Sequence, residues 1–251
     1  MRAIYILPVL IVIALAFLFP REQYEIISNP IVVSQSNQVL DFKDRKIRLA
    51  DGSNCPMIVI GSLEEEPTTM LENIIIENLY LDGNKQGQDY EIWHNRENYI
   101  RNNGISIRHC RNVTIRKSTI INARSGNIVI EKGCANIIIE DCVLSGAFFD
   151  GIAGYLSKDC LIRNNTITGN HYAGLSFDIH FDGAIIQNNI IMSNTLGVFQ
   201  RDSDDNEFIG NFLENKEWDF YLNQVDQLTD TLPRNNHFHA NTSFRDFIRQ
   251  Q

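Results

Sequence analysis

Asn136-Ile-Ile-Ile-Glu-Asp141 is one of six related hexamers, and their spacing decides the fold. The others are Asn73-Ile-Ile-Ile-Glu-Asn78, Asn112-Val-Thr-Ile-Arg-Lys117, Asp159-Cys-Leu-Ile-Arg-Asn164, Gly183-Ala-Ile-Ile-Gln-Asn188 and Asn206-Glu-Phe-Ile-Gly-Asn211. The starts at 112, 136, 159, 183 and 206 lie 24, 23, 24 and 23 residues apart, and a weaker copy spans Asn236 to Asn241. A short apolar run precedes each, such as Gly104-Ile-Ser-Ile107 or Gly174-Leu-Ser-Phe177, and a third follows, such as Asn165-Thr-Ile-Thr168. Three short strands in about 23 residues are too few for a propeller blade. One such coil cannot bury its apolar side, whereas stacked coils bury a continuous column of Ile, Leu and Val. Alternation puts Ile137 and Ile139 inside and Ile138 outside. The closing Asn of the hexamers (Asn78, Asn164, Asn188, Asn211, Asn241) is expected at a bend, forming an amide ladder from coil to coil.

Composition agrees. The 251 residues include 35 Ile and 27 Asn, a pairing that favours short strands joined by tight turns. With 43% hydrophobic and 21% charged residues the chain is not disordered. A net charge of −9 speaks against a nucleic-acid partner, because phosphate contacts need clustered Lys and Arg. The expected architecture is all-β: a single-stranded right-handed parallel β-helix of about eight coils in three sheets.

The N-terminus reads separately. Residues 1–20 hold an uncharged apolar run, Ala3 to Phe19, after Met1 and Arg2, which fits either a cleaved export signal or a retained membrane anchor. Residues 21–30 read as a linker or cap, 31–244 as the β-helix and 245–251 as a tail. The protein is then exported, periplasmic or extracellular, touching the membrane through residues 3–19 only. Its five cysteines, Cys55, Cys110, Cys134, Cys142 and Cys160, form no CxxC pair, so a zinc site is not expected. Cys110 and Cys134 occupy equivalent repeat positions, as a disulfide or as two small buried hydrophobes.

The Asn-x-x-Ile-x-x-Asn repeats and Gly-Ile-x-Ile strands over 31–244 resemble the right-handed β-helix proteins of the pectate-lyase-like superfamily. Glu131-Lys-Gly-Cys134, Phe149-Asp-Gly-Ile-Ala-Gly-Tyr155, Gly174-Leu-Ser-Phe-Asp-Ile179 and Arg201-Asp-Ser-Asp-Asp-Asn206 resemble a bacterial subgroup of it. The resemblance implies a substrate cleft along the first, Gly-led strand of each coil. Alternation along those strands predicts an outward column of Arg108, Glu131, Tyr155, Asp178, Arg201 and Asn223. Three insertions border it: Ser62 to Met70 with Glu64, Glu65 and Glu66; Asp82 to Asn103 with Trp93 and His94; and Gln224 to Arg234.

Two chemistries fit the column. In one, Arg108 and Arg201, with Asn223, Trp93 and His94, bind uronate, while Tyr155, Asp178 and His180 handle the C5 proton. Phe177-Asp-Ile-His180 is similar to the Asp-Pro-His motif of alginate C5-epimerases, with Ile179 in place of proline. In the other, Glu131 and Asp178, two coils or roughly 9.6 Å apart, flank a glycosidic bond as in an inverting hydrolase. Calcium between Asp178, Asp202 and Glu131 is a further expectation, since oxygen-rich sites suit it. The same charges are also what ordinary cross-strand pairs give. The expected function is therefore a polysaccharide lyase or epimerase, less readily a glycoside hydrolase. The alternative is a non-catalytic glycan-binding or structural envelope protein.

Overall fold

The structure, a computed structural model, describes residues 23–89, 100–224 and 232–248. Its hydrogen-bonded strand pairs are parallel, and each strand pairs with an equivalent one a coil further on. The result is a parallel β-solenoid of about nine turns, one more than the repeat count gave, with almost no helix. Lys85–Gly87 forms a single 3-10 turn. Among the described residues no helix is long and apolar enough to cross a membrane, and residues 1–22 lie outside them.

Register pairs divide the strands into three columns. The first holds the Gly-led strands, from Ile31–Val33 through Ile105–Arg108, Ile128–Glu131, Ile152–Lys158, Ala173–Asp182 and Leu196–Arg201 to Asp246–Ile248. The second holds the hexamers, and the third the short strands after them. The 12-residue strands Gln38–Leu49 and Leu71–Asp82 run through the corner between second and third columns. Hydrogen bonds thereby join the 23 strands of the described residues into one continuous sheet rather than three separate ones. Parallel pairing also reaches Glu25–Ile27 and Asp246–Ile248, outside the 31–244 span.

Alternation fills the interior as the sequence dictates. Ile76, Ile115, Ile139, Ile162, Ile186 and Phe208 stack in register in the second column, each with no exposed surface. Ile138 points outward and is half-buried. Burying one such side chain contributes roughly 1.5–3 kcal/mol, so the stack, not any single coil, supplies stability. At Gly154 an added Cβ would sit 2.3 Å from the Phe181 ring. Phe181, stacked on Phe177 at 4.5 Å, thus fills the space that a side chain at 154 would take.

The amide ladder holds Asn211 and Asn241 as expected, but in the two coils before them it runs one residue later, through Asn165 and Asn189. Asn165 donates from its backbone and side chain to Asn189 Oδ1, both at 3.0 Å. Asn189 does the same to Asn211, and Asn211 to Asn241. Each ladder amide also reaches a carbonyl of the preceding coil, as Asn189 does to Ile162 O at 2.9 Å. Asn164 and Asn188, the hexamers' own closing residues, instead take left-handed backbone at φ 55° and 53°. Asn tolerates that region, and the turn it makes aims the next side chain into the coil. Gly210 and Ala240 hold the same turn before Asn211 and Asn241.

Cys142 takes a place in this ladder, while Cys110 and Cys134 line up with Ser157 at the corner before the hexamers. The Cys110 N–H donates to Cys134 Sγ at 3.3 Å, and the Cys142 N–H to Asn165 Oδ1 at 3.0 Å. All five are free thiols, and burial pushes Cys110 up to about 12 and Cys134 to about 11. These are protonated, packed groups.

Candidate functional site

The first column carries the expected outward line, with one register change. Arg108 pairs with Glu131, Tyr155 with Asp178, and Asp178 with Arg201. A bulge between Gln200 and Arg201 then brings Gln224, not Asn223, opposite Arg201. The extra residue slips the strand, so Asn223 leaves the line. The Asn223 side chain, Trp93 and His94 lie outside the described residues.

The arginines do not face solvent as expected. Arg108 is fully enclosed. Its Nε donates to Glu131 Oε1 at 2.9 Å, and its other nitrogens to the carbonyls of Ser62, Glu64 and Glu65. The acidic insertion therefore folds over Arg108 by its backbone, while Glu66 holds Lys132 at 2.6 Å. No substrate carboxylate can reach this guanidinium. Arg201 grips Asp178 bidentately, Nε to Oδ1 at 2.6 Å and Nη2 to Oδ2. Two carboxylates thus flank Tyr155, each tethered by an arginine on its far side.

His180 is not with them. Ile179 and His180 both adopt left-handed backbone, at φ 52° and 60°. The chain turns there, and His180 lies exposed, 3.8 Å from both Asp182 and Asp202, beside Leu156 and Lys158. Asp202 is itself left-handed at φ 47°, and the oxygens of Asp178 are held by Arg201. Among the described residues no three His, Cys, Asp or Glu gather to hold a metal ion, so the calcium expectation finds no donor set.

Glu131 and Tyr155 instead share a cleft of about 220 Å³ with Arg101, Asn103, Ser125 and Asp150. Asp150 was not among the sequence candidates, because Phe-Asp-Gly reads as an ordinary turn. It precedes a strand of the first column, in line with Asn103 and Gly126, and all but 7% of it is buried. One oxygen accepts from the Ala173 N–H at 3.1 Å, as Asn103 Oδ1 accepts from the Gly126 N–H. Burial pushes the Asp150 carboxyl up to about 7, against the Ala173 hydrogen bond and the charge of Arg101. Burial also raises Glu131, more than its Arg108 pairing lowers it, and holds the Tyr155 phenol well above its usual range. The cleft therefore presents a carboxyl that holds its proton far above the usual carboxylate range beside a neutral phenol, a combination able to give and take a proton.

With this geometry in hand, the sequence matches the family described as periplasmic copper-binding protein (NosD) over residues 62–246. The chain belongs to this family. NosD proteins are periplasmic right-handed β-helices, so the match supports both the handedness and an exported location. A search of curated proteins finds no significant match. Among solved structures, the pre-mature gene product 12 of bacteriophage phi29 aligns at TM-score 0.61 and 21% identity, covering 85% of this chain and 29% of that one. DFA-IIIase from Arthrobacter chlorophenolicus A6 in complex with GF2 aligns at 0.58 and 11%, covering 86% and 63%. The periplasmic alginate epimerase AlgG aligns at 0.50 and 12%, covering 86% and 62%. This chain thus spans less than two thirds of each, and at these identities the likeness shows the fold alone.

Copper, which the family description implies, asks for converging imidazoles or thiolates. The described residues do not supply them. His109 bonds the Lys132 carbonyl, His171 stacks on Phe148, and His237 and His239 stack on each other at 6.2 Å. The thiols are protonated and bonded to backbone carbonyls. These residues do not fit a copper centre.

Proposed function

We propose that this NosD-family protein acts on a polysaccharide by acid–base chemistry in the Asp150 cleft. The observation that carries the reading is the buried Asp150 carboxyl on the wall of the cleft that Tyr155 and Glu131 also line, its acidity weakened by that burial. Perturbed groups of this kind in a cleft are functional candidates. In this reading Asp150 exchanges the proton, Tyr155 donates a hydrogen bond as a neutral phenol, and Glu131 is the companion carboxyl. Arg108 and Arg201 hold Glu131 and Asp178 in place. C5 chemistry on a uronate needs a cation on the sugar carboxylate; both arginines first assigned that task are engaged within the protein. A carboxyl pair suffices for chemistry at a glycosidic bond, the reading taken first, and Arg101 on the cleft wall keeps lyase or epimerase chemistry as the second.

The test is a screen of the purified protein for new reducing ends, unsaturated uronates and transfer products on neutral and uronate polymers, with Asp150→Asn beside it. Release by the wild type and a loss of about 10²–10⁴-fold in the variant are expected.

One observation favours a non-catalytic glycan-binding or structural role. Inter-coil pairs such as Arg111–Glu72, Arg116–Glu77 and Arg163–Glu140 recur elsewhere on the solenoid. Arg108–Glu131 and Arg201–Asp178 would then be two more of the same kind. A cleft that binds glycan without converting any would identify this role.

A further inference from the structure

The outward line beside the cleft changes character towards the last coils. In register it passes from Ser106, Val129, Ala153 and Ser176 to Phe199, Tyr221 and Phe247. Phe199 and Tyr221 stack at 6.1 Å and 15°, Tyr221 and Phe247 at 5.6 Å and 21°. Trp218 joins at 5.5 Å from Phe247, and Tyr172 lies 5.8 Å from Phe199. Tyr172 is exposed, and Trp218, Tyr221 and Phe247 are partly so. Tyr172 links stripe to cleft: its N–H donates to the Phe149 carbonyl at 2.9 Å, and the next residue, Ala173, donates its N–H to Asp150 Oδ1 at 3.1 Å. The stripe begins where the cleft ends.

Charge narrows what could lie there. In the cleft charge is balanced, Glu131 by Arg108, Asp178 at its edge by Arg201, and Asp150 by Arg101 on the same wall, whereas Phe199, Tyr221, Trp218 and Phe247 of the stripe carry none. A polyanion would meet no row of cations along the aromatic stripe. A neutral sugar offers hydroxyls to the carboxylates and C–H faces to the aromatic bodies. We infer that the site takes an uncharged glycan, laid from the Asp150 cleft over Tyr172 and Tyr221 towards the last coils. This rests on the reading of the cleft as a polysaccharide site.

The test is calorimetric titration of the full chain with neutral hexasaccharides of α-glucan, β-glucan and fructan type, and with hexagalacturonate. A neutral hexasaccharide is expected to bind, with hexagalacturonate giving no measurable heat. Tyr172→Ala and Tyr221→Ala should each weaken that binding about tenfold or more, the range of an aromatic contact residue. Tyr172 is exposed, so its variant reports on binding even if Tyr221→Ala destabilises the coil, which a melting curve would reveal. Tighter binding of hexagalacturonate overturns the inference and leaves the polysaccharide reading standing. Neutral binding unaffected by Tyr172→Ala overturns the role of the stripe. No binding by any oligosaccharide overturns both readings.

Discussion

Arg108 and Glu131 form an ion pair across adjacent coils, at 2.9 Å, in which the arginine has no solvent exposure at all. Its remaining donors close the 62–65 backbone over the sheet. Removing one member of such a pair strands the other, which typically costs about 3–5 kcal/mol. Arg108→Met should therefore lower the urea midpoint strongly. Arg111→Met, which breaks the solvent-exposed pair with Glu72, should leave it nearly unchanged. Equal midpoints for the two variants would mean that Arg108 is solvated after all.

The ladder register gives a second contrast, between two neighbouring asparagines. Asn189→Ala would remove the acceptor of the Asn165 backbone N–H and the donor to the Ile162 carbonyl, while the Asn165 side chain keeps its bond to Ile139 O. Each buried unsatisfied group costs about 1–3 kcal/mol, so a large loss is expected. Asn188→Gly keeps the left-handed turn and should cost under about 0.5 kcal/mol. Chemical denaturation of both variants checks the order, and the reverse order would restore the register first read from the hexamers.

Stability should depend on pH through Asp150. Its carboxyl is raised to about 7 from 3.8, so between those values the folded state holds a proton that the unfolded state has lost. Stability contributed this way is complete below about pH 4 and is lost as pH rises to about 7. The full loss is about 4 kcal/mol. Asp150→Asn should remove this slope and unfold at higher denaturant than wild type near pH 8. A slope that survives the substitution would belong to another group, with Glu131 the next to examine because it too is raised.

The core alternation can be tested within one hexamer. Ile139 is fully buried and in register with Ile115 and Ile162, whereas Ile138 faces outward. Ile139→Ala should cost about 2–5 kcal/mol and Ile138→Ala clearly less, as read by urea unfolding. Similar losses would contradict the register.

What the sequence disclosed, and what it hid, follows from the range of the interactions involved. Period-2 alternation sorted Ile137 and Ile139 from Ile138 because it depends only on strand geometry. The line Arg108–Glu131–Tyr155–Asp178–Arg201 was legible for the same reason. Its partners were not: the enclosure of Arg108 depends on carbonyls 43 to 46 residues earlier. The slip from Asn223 to Gln224 comes from a bulge, and the diversion of His180 from two left-handed residues in succession. Asp150 did leave a signal. Aligned coil by coil, its column reads Asn103, Gly126, Asp150, Ala173, Leu196 and Trp218, and Asp150 is the charged residue among them. An acid in a buried, otherwise uncharged column is what burial turns into a proton donor near neutral pH.

The most direct test of the Asp150 cleft is the initial rate of glycan conversion by wild type and Asp150→Asn, measured from about pH 5 to about pH 9. A wild-type rate that falls off through about pH 7, together with a variant slowed by about 10²–10⁴-fold across the range and lacking that limb, is the predicted result. A variant that keeps the wild-type rate and the same pH profile would place the chemistry outside this cleft.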